Sequence, residues 1–164
     1  MSLHFLIDGY NIIKQDECLR EIRSLKEARL ALLKIIQDHH FFRSPNNQVT
    51  LVFDGRDEFN LYSVQSKGPI NIVFSSNGKS ADEAIKKITQ ESKHPRQIVV
   101  ITNDKAIIFF VRSLGAVTMG VTDFLKKHPR KAALDKQKAA GLLKAGLTYQ
   151  QQEAINQELR RLWE

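Results

Sequence analysis

Four short stretches hold the residues of this chain that could do chemistry. Residues 6–11 read Leu-Ile-Asp-Gly-Tyr-Asn, so Asp8 ends an apolar run and Asn11 follows three positions later. Residues 51–55, Leu-Val-Phe-Asp-Gly, place Asp54 in the same way. Residues 80–83, Ser-Ala-Asp-Glu, set Asp82 beside Glu83, and residues 99–104, Val-Val-Ile-Thr-Asn-Asp, end on Asp104. Two unit charges about 4 Å apart repel by roughly 4 kcal/mol at an effective dielectric near 20. Carboxylates gathered in one place therefore need protonation or a cation. An all-oxygen donor set with no accompanying His or Cys suits Mg²⁺ or Mn²⁺ better than zinc. Such ions activate a nucleophile and neutralise charge on a phosphoryl group.

The elements that must position these acids follow from the apolar pattern. Residues 3–7 form a short apolar run of the kind found inside a parallel sheet. Gly9 lets the chain turn away sharply after Asp8. Further strands are predicted at 48–53, 70–74, 97–102 and 116–119. Ser24 with Glu27, and Ser80 with Glu83, are capping boxes that open helices. The first of these helices carries Leu25, Ala28, Leu32, Ile35, Ile36, His39 and Phe42 on one face. The second turns Ala84, Ile85 and Ile88 inward. A helix runs from Asp104 to Leu114, with Gly115 as its C′ residue, and a short one spans 122–127. Strands alternating with helices predict an α/β fold, a central parallel sheet with helices on both faces. In a doubly wound sheet, Asp8, Asp54, Asp82, Glu83 and Asp104 all fall along one edge.

Each acid except Asp8 also has a structural role available. Asp82 and Asp104 complement helix N-termini, Glu83 completes a capping box, and Asp54-Gly55 suits a turn. Around the acids, Asn11 can orient a carboxylate or a water. Thr102, Asn103 and Ser80 can bond a water or a phosphate oxygen, although Ser80 and Asn103 equally suit N-caps. Gly78-Lys79-Ser80 resembles the end of a phosphate loop, but the glycine that pattern needs five residues earlier is Val73. Lys79 still offers a point charge to a phosphate. His39 and His40 have no second ligand at metal spacing, and Cys18 has no partner His nearby.

Charge is unevenly placed. The net charge is +7, with 16 Lys/Arg against 14 Asp/Glu in residues 1–125 and 9 against 4 in residues 126–164. Residues 1–128 read as one domain and 129–164 as a basic helical extension. Within that extension and just before it, Lys127, Arg130, Lys131 and Lys138 can share a helical face and meet RNA phosphates, or form a solvated face only. The longest uninterrupted apolar run, residues 106–111, is too short to cross a bilayer. Asp8 interrupts any leader-like segment. The single Cys18 excludes an internal disulfide, which favours a reducing, cytoplasmic setting.

The stretches LIDGYNII (6–13), LVFDG (51–55), SADEAIKKI (80–88) and VVITND (99–104) resemble, in order and spacing, the YacP-like branch of the NYN domains. That branch lies within the PIN-like nuclease superfamily, and the resemblance spans roughly residues 3–125. It implies a Mg²⁺- or Mn²⁺-dependent ribonuclease fold, with Asp8, Asp82 and Asp104 as metal-binding acids and Asn11 beside them. Where a second Asp often follows Asp82 in such proteins, this chain has Glu83. The fourth acidic ligand is then either Glu83 or Asp54. Some relatives are ribosome-associated endonucleases that cut mRNA in the decoding site, which makes the ribosome an expected partner.

The reading that follows is a metal-dependent endoribonuclease that hydrolyses RNA phosphodiesters with a metal-activated water. The alternative is a non-catalytic RNA- or ribosome-binding protein that keeps the nuclease fold. A phosphohydrolase of the aspartyl-phosphate type would carry a second Asp two residues after Asp8, where this chain has Tyr10. Oligomeric state is left open.

Overall fold

A computed structural model describes residues 2–38, 44–55, 70–75 and 79–126. The extension from residue 129, Lys127, residues 56–69, Gly78, and His39, His40 and Phe42 of the predicted first long helix lie outside the described residues. The elements are β1 (His4–Asp8), α1 (Gly9–Gln15), α2 (Glu17–Arg20), α3 (Leu25–Gln37), β2 (Gln48–Asp54), β3 (Ile70–Ser75), α4 (Ala81–Glu91), β4 (Ile98–Ile101), α5 (Lys105–Ser113), β5 (Val117–Met119) and α6 (Val121–Lys126).

The five strands form one sheet in the order β3-β2-β1-β4-β5, and every pairing is parallel. Both faces are covered, which is why the strands read as nearly unbroken apolar runs. Alternate side chains enter different cores. Phe5 and Ile7 of β1 join a cluster with α1, α3 and α6, while Leu6 joins a second cluster with α4 and α5. Strand order reverses at β1. The chain steps outward through β2 to β3, then α4 carries it back across to β4 on the other side of β1. Ligands of open α/β sheets bind beyond the carboxyl ends of the strands at such a reversal. Here that places β1 and β4, with Asp8 and the residues 102–104, at the switch point.

Several local features differ from the sequence expectation for physical reasons. The chain does not turn away at Gly9 through an unusual backbone conformation, since only Gly55 and Gly115 have positive φ among the described glycines. Instead α1 starts there at once, and Gly9 is needed for close packing. A Cβ at that position would lie 2.6 Å from Cδ1 of Phe53 and 3.0 Å from the Val52 carbonyl oxygen. On α3 the buried face is Ala28, Arg29, Leu32, Leu33 and Ile36, and Leu25 in the first turn is exposed. On α4 the buried positions are Ala81, Ile85 and Thr89, with Ala84 and Ile88 half-buried. Gly115, at φ +92°, ends α5 as expected. Its N–H reaches the Arg112 carbonyl at 2.9 Å and that of Ala116 the Val111 carbonyl at 3.0 Å, a Schellman pair.

Candidate active site

Asp8 is both the last residue of β1 and the N-cap of α1. Its Oδ1 accepts from the Asn11 N–H at 3.4 Å, while Oδ2 accepts from the Thr102 hydroxyl at 3.2 Å. Thr102 is fully buried at the end of β4. Its Oγ1 accepts from the Asp104 N–H at 3.1 Å, which leaves its own proton for Asp8. A two-bond chain thus runs from the Asp104 backbone through Thr102 to Asp8. Asp104 in turn caps α5, accepting from Ala106 and Ile107 on its Oδ1 at 2.8 and 3.2 Å.

Asn11, whose N–H meets the Asp8 carboxylate, reaches this loop through its side chain: its Oδ1 accepts from the Asn103 N–H at 2.9 Å. The Asn103 side chain passes the connection onward, accepting from Val121 N–H at 3.0 Å at the start of α6. The two asparagines therefore tie α1, the β4–α5 turn and α6 together.

On the other side of β1, Asp54 accepts through Oδ1 from the Ala81 N–H and, at 3.3 Å, from the Ser75 hydroxyl. It thereby fixes the N-terminus of α4, whose next residue is Asp82. Ser80 caps the same helix, accepting from Glu83 N–H at 3.3 Å. Glu83 is exposed, and so is Lys79. Beneath this edge lies the buried Arg29, with its guanidinium carbon 5.5, 5.1 and 5.3 Å from the ring centroids of Tyr10, Phe53 and Phe74. It donates to the Tyr10 hydroxyl and, at 3.3 Å, to the Asp54 carbonyl. Arg29 lies on the buried face of α3 with Leu33 and Ile36, a place its charge does not suggest from sequence.

The acids share an electrostatic field. Burial pushes the Asp8 carboxyl up to about 6; the hydrogen bonds from Asn11 and Thr102 pull it back, and the charges of Asp82 and Asp54 raise it further. Asp82 is raised as well, first by burial and then by the charge of Asp104, with Lys86 opposing and Asp54 and Glu83 adding to the rise. Lys86 Nζ lies 3.9 Å from Asp82 Oδ2 on the next turn of α4. The charge of Asp82 is thus felt at Asp8, and the charges of Asp104 and Asp54 are felt at Asp82. Among the described residues no three acids form a ready-made ligand cluster for a metal. The donors themselves, carboxylate oxygens with no His or Cys among them, fit Mg²⁺ or Mn²⁺. Lys127, Arg130, Lys131 and Lys138 lie outside the described residues.

Comparisons with known proteins bear on the fold and the family. YacP of Bacillus subtilis (strain 168) is 27% identical over 125 residues, which cover 74% of this chain and 72% of that protein. The crystal structure of Rae1 (YacP) from Bacillus subtilis has a TM-score of 0.62 at 23% identity, covering 99% of this chain and 92% of that one. A crystal structure of a Trp-to-Leu mutant of the same protein also gives a TM-score of 0.62, at 21% identity over 92% and 89% of the two chains. At this identity the two crystal structures establish likeness of fold. The family model of the YacP-like NYN domain matches residues 5–164, taking in the basic extension as well as the sheet. With the match running over nearly the whole length, this chain belongs to the YacP-like NYN domain family.

Proposed function

We propose that this chain is a divalent-metal-dependent endoribonuclease, and that Asp8, Asp82 and Asp104 hold the Mg²⁺ or Mn²⁺. The observation that carries the reading is a buried carboxylate, Asp8, at the β1–β4 switch point with further carboxylate charge acting on it. Asp8 is held near 6 by burial and by the charges of Asp82 and Asp54, so a cation there relieves a cost already built into the fold. When bound, the ion supplies positive charge to the phosphoryl oxygens and lowers the pKa of a water.

The chain's own residues do the rest. Thr102 keeps Asp8 oriented and favours its ionised form, while Asn11 and Asn103 hold the turn that presents Asp104. Asp54 sets the start of α4 and so the place of Asp82. Its bond to Ala81 makes it a support for the site. Glu83, exposed and engaged through its N–H in the capping box, adds negative charge at the rim. Lys79 and the basic extension, with Lys127, Arg130, Lys131 and Lys138, would meet RNA phosphates. The target, by this reading, is cytoplasmic RNA, including ribosome-bound mRNA, and the chain divides at residue 128 into nuclease domain and basic extension. Among the described residues no helix is long and apolar enough to cross a membrane.

The alternative is a non-catalytic RNA-binding protein on the nuclease fold, a class that loss of the acids would mark, whereas Asp8, Asp82 and Asp104 are all present here. RNA cleavage separates the two. The purified chain should cut single-stranded RNA with Mg²⁺ or Mn²⁺, lose the activity in EDTA, and regain it when the ion is restored. Cleavage that continues in EDTA would refute metal dependence. Binding with no cleavage of RNA, naked or in translating ribosomes, would favour the second reading.

A further inference from the structure

The outer face of α5 carries a stripe unrelated to the core. Lys105, Phe109 and Arg112 recur at helical spacing and are all exposed, and Phe109 is 81% exposed. On that stripe Phe109 stands between Lys105 and Arg112 with most of its surface open to water. Beside the stripe runs an open groove of about 730 Å³ between α5, β5 and α6, lined in part by Lys105, Arg112, Lys126, Thr118 and Asp123. Among the described residues of that lining Asp123 is the one acid, against three basic side chains. None of the three forms an ion pair among the described residues. Arg112 Nε donates to Thr118 Oγ1 at 2.8 Å, which anchors the guanidinium to β5. Thr102 and Asn103 also line the groove, so it reaches the turn that leads into Asp104.

We propose that this groove and the α5 stripe bind single-stranded RNA leading to the acids, with Phe109 stacking on an unpaired base and Lys105, Arg112 and Lys126 meeting phosphates. The proposal rests on the endoribonuclease reading above and adds the path of its substrate. An exposed aromatic between cations is the combination by which proteins hold single strands: every base offers a face to stack on, and the backbone is tracked by charge. A duplex hides its base faces and cannot use Phe109 in this way.

The test uses the full chain, EDTA to prevent cleavage, and fluorescence anisotropy with a short labelled oligoadenylate. Phe109→Ala should weaken binding about tenfold, the worth of one base–aromatic stack, and Phe109→Trp should restore it. Lys105→Gln with Arg112→Gln should flatten the slope of log K against log salt by about 0.7 for each phosphate no longer neutralised. An RNA duplex should be nearly indifferent to Phe109→Ala. Circular dichroism confirms that these surface variants remain folded. If the wild type binds the oligonucleotide and the α5 variants bind it equally well with the same salt slope, the groove is overturned while the nuclease reading stands. If the wild type neither binds nor cuts RNA, the nuclease reading fails and takes the groove with it. Equal loss of duplex and single-strand binding in Phe109→Ala would overturn the stacking role.

Discussion

Thr102 donates its hydroxyl proton to Oδ2 of Asp8 across 3.2 Å, joining residues 94 positions apart in the chain. Because the same oxygen accepts from the Asp104 N–H, one buried hydroxyl sets two of the three acids relative to each other. Thr102→Val keeps the shape and removes both bonds. The Asp104 N–H then loses its acceptor, and Asp8 loses a donor that favours its ionised form. The variant should be less stable by about 1–3 kcal/mol, and the acidic limb of its RNA-cleavage pH profile should move upward. Urea unfolding and the pH profile check this together. A stability loss with an unmoved pH profile would make Thr102 a packing residue only.

Asp8 makes stability depend on pH in a stated direction. Its folded-state value, about 6, stands above the ordinary 3.8. The folded chain therefore binds this proton more tightly than the unfolded chain does, and stability falls as pH rises between the two values. At about 1.4 kcal/mol per pH unit, the cost is roughly 3 kcal/mol once ionisation is complete. Asp8→Asn removes the charge but cannot reproduce both carboxylate hydrogen bonds. In EDTA its stability should match the wild type near pH 4 and exceed it by about 1–2 kcal/mol above pH 7. Urea unfolding across that range gives the answer; a stability difference independent of pH would contradict it.

Gly9 couples the packing of α1 to the site. A methyl group there meets the Phe53 ring and the Val52 carbonyl oxygen, and Phe53 lies fully buried in the core. Gly9→Ala should cost about 1–3 kcal/mol through overpacking and displace Asp8 and Asn11 with the helix. Thermal unfolding and RNA cleavage should both suffer. A variant as stable and active as wild type would mean that α1 yields without disturbing the acids.

How much of this is legible in the sequence depends on the range of each interaction. The strands ending in Asp8, Asp54 and residues 102–104 show as apolar runs, and Ser24, Ser80 and Gly115 show as local caps. Each of these signals is contained within a few residues. The helix α1 does not show, because seven residues hold too little periodicity. Nor does the tie from Asp54 to Ala81, or the one from Asn11 to Asn103, since these join parts of the chain that only the sheet brings together. Arg29 is hidden for a different reason: a cation among aromatic rings contradicts the usual exposure of arginine. The candidate acids can be picked out one by one from sequence, but the upward shifts of Asp8 and Asp82 arise first from burial and then from neighbouring carboxylate charges, which only the fold brings near.

The central claim is that Asp8, Asp82 and Asp104 act as one cation site. Calorimetric titration of Mn²⁺ into the wild type, Asp8→Asn and Asp82→Asn tests it most directly. The account predicts saturable binding in the wild type that tightens from pH 5 to pH 7.5, and at least tenfold weaker binding in each folded variant, about 1.4 kcal/mol or more. Mn²⁺ affinity unchanged in both Asp8→Asn and Asp82→Asn would contradict it.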